Sequence, residues 1–292
     1  MKDINNTKIS NELTLVLGGT GKTGRRIVEQ LTSLNVPTRI ASRASDPRFD
    51  WGDQGTWSAV LDGVTVAYLN YAPDLAIPGA ADSIHAFVKK AVEQGVKRLV
   101  LLSGRGEEEA QRCERIVQDA GIEWTVVRSS WFNQNFSEGE FLDMVLAGAI
   151  TLPAGDVPEP FVDAEDIADV AVAALTEEGH VGQVYEVTGP RMLTFREAVA
   201  EIARASGREI QYIQIPHEDF TAGITESGAP DDIAWLLDYL FSTVLDGRNA
   251  HLCNGVQRAL GREPTDFAEY ARRIADSGVW DGPLKQQTTV AS

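Results

Sequence analysis

The chain has 292 residues, 43% of them hydrophobic, and a formal net charge of −17 at pH 7. This length and composition are typical of a globular protein with a sizeable core, built as one large domain or two small ones. The negative charge argues against a nucleic-acid phosphate backbone as partner and slightly favours a cationic ligand.

Strand and helix patterns alternate through the first half of the chain. Short apolar runs predict strands at 13–17, 38–42, 49–51, 64–70, 98–103 and 124–128. Apolar residues at helical spacing predict a helix after the first strand, and further helices at 56–61, 80–94 and 107–120. Such alternation predicts parallel βαβ units in a Rossmann-type doubly wound sheet, with ligands at the carboxyl ends of the strands.

The second half of the chain is less regular. It predicts helices at 163–176, 194–206, 231–245 and 266–277, and strands at 182–188 and 211–215. Thr194 followed by Glu197 is a capping box. We therefore expect an α/β protein with a Rossmann domain over 12–155 and a smaller, mainly helical substrate lobe over 156–282 that shares some strands with the first. Residues 1–11 and 283–292 are expected to be loosely ordered tails.

A glycine-rich loop joins the first strand to the first helix. Its Gly-Lys-Thr at 21–23 has the ending of a phosphate-binding P-loop, but Val16 stands where that motif needs its opening glycine. The remaining pattern, Gly18-x-x-Gly21-x-x-Gly24, allows a tight turn, a close approach to a pyrophosphate and close helix–strand packing. The loop predicts a dinucleotide site, with a structural turn as the alternative.

The cysteines, the histidines and the apolar runs bear on whether the protein binds a metal or a membrane. The two cysteines, Cys113 and Cys253, have no metal-ligand spacing, and the four scattered histidines form no metal or triad pattern. The polar N-terminal residues contain no signal-peptide core, and no run is long enough to cross a membrane. We expect a cytoplasmic protein without a metal, membrane or nucleic-acid partner; the sequence leaves the oligomeric state open.

Several segments together resemble a known family. GGTGKTG, IASR, VKRLVLLSG, WTVVRSSWFNQNF and PFVDAEDIADVA, between residue 13 and about residue 190, resemble the NmrA-like branch of the atypical short-chain dehydrogenases/reductases. Within that branch their order is similar to the ergot-alkaloid-type reductases, the festuclavine synthase and agroclavine dehydrogenase group. The resemblance implies an NADP(H) site and a substrate pocket at the carboxyl edge of the sheet.

The resemblance also implies which residues form these sites. The implied cofactor-binding residues are Gly18, Thr20, Gly21, Lys22, Thr23, Gly24, Ser42, Arg43, Asp50, Trp51, Asn70, Tyr71 and Ser103. The implied substrate-binding residues are Tyr71, Trp131, Phe132, Asn135 and Phe136. The aromatic members suit a ring-containing or cationic substrate, with plain core packing as the alternative.

Arg43 bears on the choice between NADPH and NADH. An NAD site needs an acidic residue for the ribose 2′-hydroxyl, whereas here Ser42 and Arg43 end the second strand and the first acid is Asp46. Because an arginine pairs bidentately with phosphate, Arg43 predicts NADP(H). A solvated surface arginine is the alternative.

Two departures from the family concern chemistry. Ser129 replaces the usual proline after the strand at 124–128, and no Tyr-x-x-x-Lys follows the strand at 98–103. Glu108 and Arg112 stand roughly in place of that pair and are expected to form an i,i+4 surface ion pair. The acids at 107–109 are expected to complement a helix dipole rather than to catalyse.

These observations predict an NADPH-dependent reductase. Hydride would go to a C=N or C=C bond of a small ring-containing substrate, and an iminium acceptor would need no proton donor, which fits the missing tyrosine–lysine pair. Tyr71 is the candidate donor where a proton is needed. The alternatives are a non-catalytic NADP(H)-binding regulator and a quinone-type reductase.

Overall fold

A computed structural model describes residues 12–139 and 141–282. Its centre is a six-stranded parallel sheet in the order β2-β1-β3-β4-β5-β7. The strands are β1 Leu13–Leu17, β2 Thr38–Ala41, β3 Val64–Leu69, β4 Arg98–Gly104, β5 Glu123–Ser129 and β7 Gln183–Val187. A separate parallel pair joins β6 Ala149–Leu152 to β8 Gln211–Gln214.

Helices cover both faces of the main sheet, as expected for a doubly wound fold. One face packs against α2 Trp57–Leu61, α3 Ala80–Glu93 and α4 Glu108–Gln118. The other packs against α1 Lys22–Ser33, α6 Ala164–Thr176 and α10 Gly255–Leu260. Successive strand residues alternate between the two cores, with Leu15 on the first side and Val16 on the second. The predicted fold class is confirmed.

A second lobe lies beside the carboxyl edge of the sheet. Besides β6 and β8 it contains α5 Leu142–Ala147, α7 Phe195–Ser206, α8 His217–Glu226, α9 Asp231–Tyr239 and α11 Phe267–Asp276, around a core rich in phenylalanine. Helix α7 begins with the predicted Thr194–Glu197 capping box. The chain crosses between the lobes more than once, and the division at residues 155 and 156 stays a prediction. The predicted tails lie outside the described residues.

One predicted strand is wrong. Residues 49–51 are not a strand; they form a turn that packs Phe49 into the first core. Asp50 organises this turn, since its carboxylate accepts from the Gly52 N–H at 3.0 Å and its carbonyl accepts from the Trp57 indole at 2.9 Å. These local bonds satisfy groups that a sheet edge would otherwise pair.

Some element boundaries differ from the prediction, and some elements were not predicted. The helix predicted over 231–245 ends its regular turns at Tyr239 and continues as a π-helical turn over Leu240–Val244. Helix α8 and the short elements α5, β6 and α10 were not predicted; the last three lack the length that makes a periodic pattern visible. Among the described residues, no helix has the length and apolar character needed to span a membrane.

Candidate active site

The glycine loop has the close packing that its spacing predicts. Gly18 has a φ of +66°, in the left-handed region that favours glycine. A Cβ on Gly24 would lie 2.2 Å from the Gly18 carbonyl oxygen, so helix α1 can reach this position only without a side chain. Gly21 is the N-cap of α1, where unpaired backbone N–H groups and the helix dipole favour an anion. This cradle fits a dinucleotide pyrophosphate.

The arginines that could pair with a cofactor phosphate lie in the segment that follows β2, next to the glycine loop. Arg43 is exposed, as is Thr20 of the glycine loop, and Ser42 is half-buried. Arg48, which the sequence analysis missed, forms a 2.7 Å ion pair with Asp50. The Gly52 N–H, then Arg48 and Arg43, lower the pKa of the Asp50 carboxyl. Two arginines therefore lie close to Asp50, in the segment that follows β2.

Trp51 and Tyr71 lie together beside the end of β3. Their ring centroids are 4.8 Å apart, and the Trp51 indole donates to the Asn70 carbonyl at 3.1 Å. The Asn70 side chain lies against the glycine loop, 2.9 Å from where a Gly18 Cβ would be. The turn at 49–51, the end of β3 and the glycine loop thus form one continuous surface.

Lys22 and Thr23 connect that surface to the second lobe. The Lys22 ammonium donates to Asn135 Oδ1 at 2.9 Å. Thr23 is buried, and its hydroxyl accepts from the Tyr68 hydroxyl at 2.9 Å. Lys22 is therefore held at the mouth of the crevice between the lobes.

A cavity of about 340 Å³ opens at this crevice. Its walls include the predicted residues Lys22, Thr23, Asn70, Tyr71, Ser103, Trp131, Phe132 and Asn135. Helix α9 and the π-helical turn close the far side with apolar side chains that the sequence analysis did not assign: Ile233, Leu236, Leu237, Leu240 and Val244. Flat aromatic and aliphatic walls of this kind suit a small ring-containing ligand.

Trp131 and Phe136, two of the aromatic residues predicted to bind substrate, differ in burial. Trp131 lines the cavity, with its ring 5.3 Å from those of Phe195 and Phe241. Phe136 is fully buried and does not line this cavity; its ring lies 5.3 Å from that of Phe141. The 3₁₀ turn Asn133–Phe136 directs Phe136 into the core, the alternative stated for these aromatic residues, and its role in substrate binding stays a prediction.

Ser103 is fixed at the cavity wall by an ionic network. Its hydroxyl donates to Glu114 at 2.6 Å, and Arg128 bridges Glu114 and Glu186 at 2.5 and 2.6 Å. Because Ser103 is buried with its hydroxyl engaged, it forms rigid wall rather than a mobile donor.

Glu108 and Arg112 do not form the predicted ion pair. Arg112 pairs instead with Glu109 at 2.7 Å, one turn back at i,i+3, and Glu108 is exposed. Glu107 also differs from its predicted role, since its side chain does not cap the helix and lines the cavity.

Glu107 and Asp74 form a carboxyl pair in the cavity wall that the sequence analysis missed. Burial raises the pKa of Glu107 well above its usual range, and the Asp74 charge, the Glu114 charge and a hydrogen bond with Asp74 raise it further. Asp74 follows the end of β3, and Glu107 follows the end of β4. The rule that ligands bind at strand ends could have found both.

The histidines are less isolated than their sequence spacing indicates. His217 lies 2.7 Å from Asp238. Ligand atoms of Glu186, His251 and Cys253 lie within 4.8 Å of one another. Arg105 and Arg128, however, already bond the Glu186 carboxylate, so positive charge occupies the place that a cation would take.

The fold and the glycine cradle define a dinucleotide-binding protein of the Rossmann class. More particularly, the chain belongs to the NmrA-like family, whose profile matches residues 10–271. The resemblance stated from the sequence motifs is confirmed.

Individual relatives and solved structures match most of the length of the chain. The chain is 32% identical over 290 residues to agroclavine dehydrogenase from Claviceps fusiformis, covering 91% of this chain and 98% of that protein. It is 29% identical to an NAD(P)H azoreductase from Xenophilus azovorans, covering 90% and 98%. Among solved structures, the Escherichia coli NADPH-dependent quinone oxidoreductase QOR2 in complex with NADPH shares the fold, with a TM-score of 0.75 at 23% identity over 89% of this chain and 99% of that chain.

Proposed function

We propose that this protein is an NADPH-dependent reductase that acts on the C=N or C=C bond of a small ring-containing substrate. The observation that carries the proposal is the junction of the glycine cradle with one aromatic-walled cavity through Lys22 and Thr23. Relatives that cover nearly the whole chain include a dehydrogenase and an NAD(P)H azoreductase.

The residues of the cradle have distinct parts in cofactor binding. Gly18, Gly21 and Gly24 would hold the pyrophosphate, and Arg43 with Arg48 would pair with the 2′-phosphate. Bound NADPH supplies a hydride equivalent. The protein orients the substrate and excludes water, and this can account for a large part of a rate enhancement.

The cavity walls orient the substrate. Tyr71 and Trp131 line the cavity, where their flat rings can hold an aromatic or cationic ring by its face. Tyr71 also stays the sequence-predicted candidate for a proton donor.

An NADPH-oxidation screen with iminium, enone, quinone, azo and ketone acceptors tests the proposal. We expect turnover with at least one iminium or enone ring compound and little with simple ketones. Tight NADPH binding without turnover of any acceptor would instead favour a cofactor-sensing regulator.

Replacing Tyr71 with Phe separates its two roles. If Tyr71 only packs against the ligand, rates with every acceptor should be nearly unchanged. If it donates the proton, enone reduction should fall by about two to four orders of magnitude while iminium reduction persists.

A further inference from the structure

Two carboxyl groups meet in the wall of the cavity, from different elements of the fold. Asp74 lies in the loop after β3, with one oxygen accepting from the Ala76 N–H at 2.8 Å. Glu107 stands at the start of α4 and is only 7% exposed. Both side chains line the same cavity, and the Asp74 charge is among the causes that raise the pKa of the Glu107 carboxyl. Because ionising two adjoining carboxyls in a buried site is unfavourable, this arrangement favours a proton held between them.

One carboxylate oxygen of Glu107 lacks a hydrogen-bond partner among the described residues. Its Oε2 is buried and has no hydrogen-bond partner among residues 12–139 and 141–282. Buried polar oxygens are nearly always hydrogen-bonded, so an open one in a cavity wall indicates a bond that a ligand completes. This orphaned oxygen distinguishes the pair from an ordinary acidic cluster at a helix terminus.

The backbone of β4 leaves room for this carboxyl. A Cβ on Gly104 would lie 2.2 Å from Glu107 Oε1 and 2.3 Å from Oε2. Glycine at this position therefore allows the carboxyl to lie directly against the strand end, next to Ser103 in the cavity wall.

We propose that the Asp74–Glu107 pair is the proton donor for acceptors that need a proton as well as a hydride. The inference rests on the proposed reductase function and names a catalytic group for it. Glu107 is more enclosed than Tyr71, and it lines the cavity with one carboxylate oxygen that has no hydrogen-bond partner among the described residues.

The step balances with NADPH as the reductant. In an enone, the C–H bond that held the hydride breaks and a new C–H bond forms at the β carbon, while the C=C π bond breaks and its electron pair shifts to the α carbon. The O–H bond of the Glu107 carboxyl breaks, and its proton bonds the atom that receives that pair. NADP⁺ and the saturated ketone result, and the Glu107 carboxylate regains a proton from water. An iminium carbon needs the hydride alone.

The kinetic test compares Glu107→Gln with Glu108→Gln, a matched control on the exposed side of the same helix. With an enone acceptor, Glu107→Gln should lower kcat by about two to four orders of magnitude and remove the solvent deuterium isotope effect on proton transfer. With an iminium acceptor the same variant should lose far less rate than with the enone, and Glu108→Gln should resemble the unmodified protein with both. Retained iminium reduction also shows that Glu107→Gln is folded.

A second readout uses no cofactor or substrate. Infrared titration should show a protonated-carboxyl band at neutral pH that is lost in Glu107→Gln and kept in Glu108→Gln. The charged or titratable groups around Glu107 include Asp74, Glu114 and Tyr239, and Lys22, Tyr71 and Arg105 line the same cavity. Glu159, a second buried carboxyl, contributes equally in both variants.

The outcomes distinguish the inference from the proposed function. If the unmodified protein reduces both acceptors and Glu107→Gln slows neither, the carboxyl pair is not the donor while the reductase function stands. An unchanged infrared band in Glu107→Gln would likewise overturn the shared proton. If the unmodified protein transfers hydride to no acceptor, both fall together.

Discussion

Replacing Gly24 with Ala tests whether close packing of helix α1 on the glycine loop makes the cofactor site. The added Cβ would lie 2.2 Å from the Gly18 carbonyl oxygen and 2.8 Å from the Gly19 Cα, whereas real Cβ contacts essentially never fall below 3.0 Å. Because the obstacles are backbone atoms, the loop must move. Overpacking of this kind costs about 1–3 kcal/mol. We expect NADPH affinity to fall by about tenfold or more, since the displaced N–H groups are those proposed to bind the pyrophosphate.

Gly223→Ala is the matched control. Gly223 is also helical, in α8, but a Cβ there would meet nothing within 4 Å. This change should stabilise the protein by about 0.5–1 kcal/mol through helix propensity and leave NADPH binding unchanged. Urea denaturation and calorimetric titration measure both quantities. If Gly24→Ala unfolds and binds NADPH like Gly223→Ala, the reasoning about the cradle is refuted.

Four further changes test other parts of the account. Arg43→Ala should remove most of the preference for NADPH over NADH, a loss of about 1–3 kcal/mol by calorimetry; equal affinities in the unmodified protein would contradict the assignment. Trp131→Ala should misplace the substrate, and an error of about 1 Å can cost on the order of a hundredfold in rate; an unchanged kcat/KM would remove Trp131 from the site. Phe136→Ala should destabilise the fold by about 3–5 kcal/mol in urea, and a near-neutral effect would argue against its core position. Burial raises the pKa of the Glu159 carboxyl to about 7. Because this carboxyl titrates at lower pH in the unfolded chain, its proton stabilises the fold at low pH, and that stabilisation is lost as the pH rises through about 7. Glu159→Gln should flatten this pH dependence of the free energy of unfolding.

Much of the fold could be predicted because its signals are local. Buried parallel strands give continuous apolar runs, and the glycines of the first loop have spacing that close backbone contact imposes. Prediction from local patterns failed for the short segment at 49–51. Its apolar residues are buried through a turn held by Asp50, and that arrangement depends on Trp57 as a partner outside the segment.

The residues of the candidate site also differ in how far the sequence alone determines their positions. Positions at strand ends, such as Asn70 and Ser103, follow from topology, and both residues line the cavity. Phe136 lies seven residues beyond the end of β5, so its direction depends on a 3₁₀ turn that no residue pattern specifies. The contact between Asp74 and Glu107 joins two loops far apart in sequence, and only the folded chain reveals it.

Isotope transfer tests the central claim most directly. NADPH carrying deuterium at the transferable position of the nicotinamide is incubated with the protein and an iminium or enone ring compound, and the product is analysed by mass spectrometry. The account predicts a reduced product with deuterium at the carbon that accepted the hydride. Bound NADPH with no deuterium in any product would contradict it.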